Sequence, residues 1–214
     1  MLHPPDQTAR CAQRARAGFT LIEVLIAISI LALISINIVL VSKTGTAAAR
    51  TGALLSTLNG ELDLTMERME LALMAAHSDE VQSVNAFPLY SNRVDFAIDI
   101  GVDNGSVVLG DPERIQWAQL NERDGAVSWL RNPDDVEAER AVTWSRAVPT
   151  VFDGETAGNG EDDNANGLLD EGGLAFTLPA ENQDMLEIHL TVERTDKDGK
   201  RVPRSRRVRV TCRN

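Results

Sequence analysis

The sequence has few cysteines, few aromatic residues and a deficit of basic charge. Its 214 residues include only two cysteines, Cys11 and Cys212, and 4% aromatic residues. Because no cysteine pair has metal-ligand spacing, a zinc ribbon and a small disulfide-stapled scaffold are both excluded. Lys and Arg number 21 against 32 Asp and Glu, which gives a net charge of −11. A chain this acidic lacks the basic surface that general nucleic-acid binding needs, so nucleic acid is not an expected partner.

The sequence also lacks the short motifs of common enzyme classes. It contains no Gly-x-Ser-x-Gly, no His-Glu-x-x-His, no Gly-x-x-x-x-Gly-Lys-[Ser/Thr] and no Cys-x-x-Cys. His77 and His189 stand alone in the sequence. His189 lies between Ile188 and Leu190 in an alternating segment, where a polar side chain is expected to face solvent. We therefore expect neither catalysis nor a small-molecule substrate.

What the sequence does have is one long apolar run near its N-terminus. From Phe19 to Val41, 23 residues carry a single charge, Glu23. A helix of that length reaches roughly 35 Å, enough to cross a bilayer core of about 30 Å. The run is too long for an ordinary secretory signal peptide, and no small-x-small cleavage site follows it. Three arginines precede the run and place its N-terminal end in the cytoplasm: Arg10, Arg14 and Arg16.

The run opens with a specific motif, Gly18-Phe19-Thr20-Leu21-Ile22-Glu23. This motif resembles the processing site of the type IV pilin and type II secretion pseudopilin superfamily. In that family a membrane prepilin peptidase cuts after the glycine, the new N-terminal phenylalanine is methylated, and the glutamate at the fifth mature position supports assembly. The resemblance implies cleavage between Gly18 and Phe19, N-methylation of Phe19, and an assembly role for Glu23.

Physical chemistry supports an assembly role for Glu23. A carboxylate five residues into an apolar helix is costly in lipid and needs a partner. Cleavage frees an α-amino group on Phe19, which is mostly protonated at neutral pH. Inside a bundle of apolar helices each charge is costly alone, but the two are tolerable as a pair. We therefore expect Glu23 to pair with the Phe19 amine of a neighbouring subunit and to set the register between them.

The rest of the sequence predicts an amphipathic helix followed by strands. Apolar residues recur at spacings of three and four, typical of one helix face: Leu55, Leu58, Leu62, Met66, Met69 and Leu73. Strand-like segments follow over 94–100, 114–120, 126–131, 174–178, 185–192 and 206–212. The expected fold class is α+β. A long N-terminal helix, whose first half spans the membrane, packs on an antiparallel β-sheet head, as in pilins.

The expected domain organisation has three parts. Residues 1–18 form a prepilin leader, 19–42 a transmembrane and assembly helix, and 43–214 a periplasmic globular head that includes the amphipathic half of the helix. The last strand segment, 194–213, carries nine basic and two acidic residues. It is interpreted as a solvated strand face, with docking against an acidic neighbour as the alternative.

A second feature with chemical content is an acidic loop. Residues 153–171 hold seven carboxylates and no Lys or Arg. Within it, Asp162-x-Asn164-x-Asn166-Gly167 resembles the start of an EF-hand calcium loop. This pattern predicts a Ca²⁺ site whose ligands are Asp162, Asn164, Asn166, the carbonyl of Leu168, Asp170 and Glu171.

The loop departs from the EF-hand pattern at its end. The twelfth position is Gly173 rather than Glu, so Glu171 or an acid from elsewhere, such as Asp153, must complete the calcium shell. In this interpretation Leu169 enters the core. The alternative is a solvated loop of turn-forming residues that binds no metal.

The resemblance implies a structural function in a bacterial envelope machine. After cleavage 196 residues remain, and the chain ends Arg213-Asn214, which resembles a J-type minor pseudopilin of a type II secretion system. Such a subunit enters the pseudopilus tip and supports protein export. Its partners are other pseudopilin subunits, the prepilin peptidase and the inner membrane, with the head in the periplasm. Two alternatives stay open: a minor pilin of a type IV pilus (adhesion, motility or DNA uptake), and an unprocessed membrane-anchored calcium-binding module.

Overall fold

The computed structural model describes residues 18–179 and 185–213. The expected leader, 1–18, therefore lies outside the described residues except for Gly18. By its internal contacts the chain divides into two compact units, Met1–Ala49 and Arg50–Asn214. One helix, α1 (Leu21–Met74, 54 residues), contributes to both units.

In the first unit, every described residue is exposed, including the whole apolar run. In the second unit, the end of α1 buries one face, as the spacing of apolar residues predicts. The fully buried residues on that face are Leu58, Met66, Met69 and Leu73, with Leu62 almost so. Gly45, Gly52 and Gly60 do not interrupt α1, although each lowers helix propensity by up to about 1 kcal/mol relative to alanine.

The head is rich in antiparallel strands, which confirms the expected α+β class. A 3₁₀ turn (Ser78–Glu80) precedes ten strands: β1 (Asn85–Ala86), β2 (Arg93–Phe96), β3 (Asp99–Asp103), β4 (Ser106–Leu109), β5 (Glu113–Gln119), β6 (Asp124–Arg131), β7 (Arg140–Pro149), β8 (Leu174–Leu178), β9 (Met185–Thr195) and β10 (Arg201–Thr211). They form two four-stranded sheets, ordered β1-β8-β9-β10 and β2-β5-β6-β7, and a β3–β4 hairpin. Only the short β1–β8 pair is parallel among these pairings.

The buried face of α1 shares one hydrophobic core with both four-stranded sheets. That core includes Val94, Ile115 and Val127 from the β2-β5-β6-β7 sheet and Phe176, Ile188 and Leu190 from the β1-β8-β9-β10 sheet. Burying apolar side chains of this size stabilises the fold by about 1.5–3 kcal/mol each relative to exposing them. The core therefore fixes the head, and the loops project from it.

The predicted strand segments 114–120 and 126–131 pair as the β5–β6 hairpin. In the β5–β6 register Trp117 lies opposite Val127 and Trp129 lies opposite Ile115. Since directly opposed residues share a face, the two indoles are diagonal neighbours on one side of the sheet. Both pack against the core.

Other strand predictions need correction. The segment 94–100 is divided, because β2 ends at Phe96 and β3 begins at Asp99 with a different partner. A register shift between Asp99 and Gly101 breaks the regular alternation there. The strand β7 was not predicted from the sequence, and its pairing with β6 also contains register shifts that obscure the period of two.

The prediction that His189 faces solvent is wrong. His189 is 2% exposed. It lies on β9, a central strand that is covered on both faces, so that residues of both alternating sets are buried. The ring of Phe152 meets the His189 ring edge-on, with centroids 5.9 Å apart, because the loop after β7 covers that face.

Candidate functional site

The start of α1 is a reciprocal cap made by Thr20 and Glu23. The Glu23 backbone N–H donates to Thr20 Oγ1 (3.3 Å), and the Thr20 backbone N–H donates to Glu23 Oε2 (2.9 Å). The Thr20 hydroxyl also donates to Glu23 Oε2 (3.0 Å). This is a capping box, in which two unpaired backbone donors at a helix start are satisfied together. Glu23 therefore has a local role that the sequence interpretation did not include.

The helix that follows is long and apolar enough to cross a membrane by length and composition. Its apolar side chains are exposed, and Phe19 at its start is 86% exposed. Such a surface is far larger than the apolar patches that soluble monomers usually expose. The N-terminal segment therefore fits a membrane-anchored protein.

The acidic loop lies between β7 and β8 and is shaped by turns. Gly167 has φ +94°, a conformation that L side chains rarely adopt. A Cβ at this position would lie 2.6 Å from the ring of Phe87, so glycine is required for packing as well. A sharp turn at this glycine is a feature of the EF-hand loops that the Asp162-x-Asn164-x-Asn166-Gly167 pattern resembles.

The predicted calcium residues meet around that turn. Asp162 accepts the backbone N–H of Asn166 (3.1 Å) and of Gly167 (2.7 Å). Asn164 Oδ1 accepts the N–H of Asn166 (2.9 Å), and Asn166 Oδ1 accepts the N–H of Leu168 (2.8 Å). The side-chain oxygens of these alternating residues thus accept backbone N–H groups a few positions later, which stabilises a series of local turns.

Two predicted residues are placed differently from an EF-hand. Both carboxylate oxygens of Asp170 accept backbone N–H groups, from Asn159 and Gly160, each at 2.8 Å. The prediction that Leu169 enters the core is wrong, because Leu168 is buried (1% exposed) and Leu169 is only partly so. The physical reason is that β8 follows the loop at Leu174, where an EF-hand would continue into a helix.

Glu171 is the most buried acid of the loop, with 0% exposure. Its Oε1 accepts the side-chain amide of Asn164 (2.8 Å) and that of Asn166. Its Oε2 is buried and has no hydrogen-bond partner among the described residues. The backbone carbonyl of Glu171 accepts the N–H of Phe152 (2.9 Å), which ties this end of the loop to its beginning.

Sequence reasoning did not identify Glu155. Its Oε1 accepts the backbone N–H of Asn164 (3.1 Å), while its Oε2 is buried without a hydrogen-bond partner in the described part of the chain. Burial raises the pKa of Glu155, and the negative charges of Glu171, Asp163 and Asp162 raise it further, against the lowering effect of the Asn164 N–H. Glu155 precedes the alternating run, and only the fold of the loop brings it there.

No group of three or more His, Cys, Asp or Glu side chains is placed to hold a metal within residues 18–179 and 185–213. Most carboxylates of the loop are engaged with its backbone. A metal at this site would therefore need asparagine or backbone oxygens in addition to carboxylates.

A second buried glutamate lies near the loop, on β9. Glu187 is 2% exposed and contacts His189 Nε2 (3.1 Å), Arg209 Nε (3.1 Å) and the guanidinium of Arg207. Burial lowers the pKa of His189, and the negative charge of Glu171 partly opposes that shift. Unlike Glu171, Glu187 is neutralised by cations from its own chain.

The basic C-terminal segment is largely paired within the head. Arg194 contacts Glu61 of α1 at 2.8 Å, and Arg206 contacts Asp63 at 2.9 Å. Arg201 also contacts Glu193, at 3.1 Å. These ion pairs favour the interpretation of a solvated strand face over that of a free basic docking surface.

Comparison with known proteins adds one finding at the N-terminus. Residues 13–36 match the family model described as the prokaryotic N-terminal methylation motif. No curated protein and no solved structure matches the chain. The matched residues include the Gly18–Phe19 junction, the Thr20–Glu23 cap and the first turns of α1. This motif, at the start of an exposed apolar helix, indicates a type IV pilin-like or pseudopilin protein with a structural function.

Proposed function

We propose that the protein is a minor pseudopilin of a type II secretion system, of the J type. The observation that carries the proposal is the methylation motif at residues 13–36, which lies at the start of a 54-residue helix. Such a motif implies processing by a prepilin peptidase and assembly with other pilin-like subunits. The helix waits in the inner membrane, with the head in the periplasm. After cleavage it leaves the lipid and packs beside the helices of its neighbours in the pseudopilus tip.

The helix is suited to this mechanism because it exposes apolar side chains along the run from Phe19 to Val41, which carries one charge, Glu23, and few polar residues. An apolar helix surface of this kind is stable in contact with lipid, and it is also stable when it packs against the apolar surfaces of other helices.

Intact mass tests whether the protein is a processed pilin-class subunit. We would express the full chain in membranes that contain a prepilin peptidase. The expected mass corresponds to loss of residues 1–18 and addition of one methyl group to Phe19. Gly18→Val is the matched control, because a Cβ on Gly18 meets nothing within 4 Å and leaves the fold undisturbed. This variant should stay full-length. A wild-type chain that remains uncut beside a processed control prepilin would leave the unprocessed membrane-anchored module as the better reading.

A second experiment separates secretion from a pilus. In a strain that lacks the gene, loss of exported enzymes with normal surface pili supports the pseudopilin. Loss of pili, twitching motility or DNA uptake with normal export supports a minor pilin of a type IV pilus instead. Complementation with wild type, but not with Gly18→Val, should restore whichever phenotype is lost.

A further inference from the structure

The acidic loop contains two buried carboxylate oxygens, one on the fully buried Glu171 and one on the partly buried Glu155. Glu171 Oε2 and Glu155 Oε2 are both buried and without a hydrogen-bond partner among the described residues. Both glutamates contact Asn164, Glu155 through its backbone N–H and Glu171 through its side-chain amide. Glu155 and Glu171 are therefore both neighbours of Asn164.

Such an arrangement is unfavourable unless a positive charge joins it. A buried carboxylate without a compensating partner is costly, and two that share a site repel each other. Residues 153–171 contain no Lys or Arg. The nearby arginines on β10, Arg207 and Arg209, are both directed to Glu187. Neither arginine is therefore free for Glu155 or Glu171, and the compensation left to them is a proton or a cation taken from solution.

We infer that the loop binds one divalent cation, calcium, with Glu155 and Glu171 as its carboxylate ligands. Their partners are the amide oxygens of Asn164 and Asn166. At present the amide nitrogens of these two residues donate to Glu171 Oε1 and supply the partial positive charge that a cation would bring. The amide oxygens already accept the backbone N–H groups of Asn166 and Leu168, and each keeps a second lone pair that a cation can use.

The chemistry of the donors selects calcium. All four side chains offer hard oxygen ligands, which suit Ca²⁺ or Mg²⁺ rather than zinc or copper. Calcium accepts irregular shells of six to eight oxygens, whereas Mg²⁺ demands near-octahedral geometry. A loop built of successive turns provides an irregular shell of this kind, which suits calcium. With only two carboxylates, the site depends on neutral oxygens for the rest of the shell.

This ligand set differs from the EF-hand pattern of the sequence. Asp162 is a positioning residue, since its carboxylate holds the N–H groups of Asn166 and Gly167. Asp170 is occupied with Asn159 and Gly160. Glu155 replaces Asp170 as a ligand, and Glu171 supplies the carboxylate that an EF-hand takes from its twelfth position.

Calcium binding to the full-length protein in detergent tests this inference, and it does not depend on processing or on filament assembly. Isothermal titration with CaCl₂ should show one site per chain. Glu155→Gln and Glu171→Gln should each weaken binding by roughly tenfold or more, because each removes a charged ligand. Asp170→Asn is the discriminating control, and Asp103→Asn, an exposed acid on β3, is the control for surface charge. Both should bind within about threefold of wild type.

Thermal unfolding with and without calcium guards against misfolded variants. Calcium should raise the Tm of wild type and leave that of Glu171→Gln unchanged. In EDTA, Glu171→Gln should melt at or above wild type, because it removes an uncompensated buried charge. Absence of calcium binding to wild type at millimolar concentration overturns the inference. So does a set in which Asp170→Asn abolishes binding while Glu155→Gln does not, since that result restores the EF-hand ligands.

Discussion

The start of α1 and the acidic loop each place a glutamate in demanding surroundings, and they satisfy it in different ways. Glu23 is exposed and receives its hydrogen bonds from Thr20, three residues away. Glu171 is fully buried, and one of its oxygens has no partner in the described chain. A carboxylate served by its sequence neighbours forms a recognisable motif. Where the surroundings of a carboxylate come from distant parts of the chain, a missing hydrogen-bond partner can be recognised only in the folded structure.

The largest expected effect is on Glu23, and it separates the local cap from the role between subunits. Glu23→Gln keeps a capping-box acceptor but removes the charge. We expect this variant to be cleaved yet not to enter filaments, because the Phe19 amine of a neighbour loses its counter-charge. Filament incorporation is measured by shearing or by cross-linking between subunits.

Thr20→Ala is the matched control for Glu23→Gln. It removes the cap, at a cost of about 0.5–2 kcal/mol in helix stability, but keeps the charge. It should therefore still assemble. If Thr20→Ala fails to assemble and Glu23→Gln succeeds, the contribution of Glu23 is local and the inter-subunit pair is wrong.

In the acidic loop, Gly167→Ala should lower head stability by about 2–4 kcal/mol, from the left-handed backbone and from collision with Phe87. Gly158→Ala is matched, since Gly158 also has positive φ (+74°) but a Cβ there meets nothing within 4 Å. It should lose only about 1–2 kcal/mol. Denaturant unfolding followed by circular dichroism measures both. Equal losses would show that Phe87 yields and that the packing of the turn is not decisive.

The two buried glutamates beside His189 offer a direct comparison. Glu187→Gln should destabilise the head by about 1–3 kcal/mol, because it breaks charge-assisted contacts with Arg207, Arg209 and His189. In EDTA, Glu171→Gln should be neutral or stabilising. Chemical denaturation of both variants under the same conditions measures their free energies of unfolding and so tests this comparison. A similar loss for both would mean that Glu171 is already neutralised.

The smallest expected effect concerns Glu113, whose carboxylate accepts the Trp129 indole N–H at 2.7 Å. Burial raises the pKa of Glu113, and the Trp129 hydrogen bond and the Arg131 charge oppose that shift. A raised pKa in the folded state means that the folded protein binds the proton more tightly, so stability is lost as pH rises through the folded-state value.

Glu113→Gln should therefore match wild type in stability in acid, below the ordinary pKa of a glutamate. It should become slightly more stable than wild type as pH rises towards neutrality. The amide oxygen of the variant can still accept the Trp129 indole N–H, so the environment of this indole in the folded state is preserved. Tryptophan fluorescence can therefore follow the unfolding of both proteins. A difference that does not depend on pH would exclude titration of Glu113 as its cause.

Local patterns were sufficient for much of the fold. The spacing of Leu58, Leu62, Met66, Met69 and Leu73 predicted the buried face of α1, and β8 has the bounds predicted for it. The sequence did not predict strands correctly where register shifts break the alternation of apolar and polar residues, as in β3 and β7. The prediction for His189 was wrong because an alternating pattern is taken to mean that one face of the strand is exposed to solvent. Both faces of β9 are buried along most of its length.

The sequence alone determined the membrane-compatible helix, the processing motif at Gly18-Phe19, and the turn around Gly167, because each depends on residues within a few positions of one another. The tertiary structure decided which acids of the loop are held by backbone and which are left without a partner. Glu155 and Glu171 lie sixteen positions apart in sequence. Burial and charge act through space, so their contact with a common residue, Asn164, appears only when the loop folds over β9.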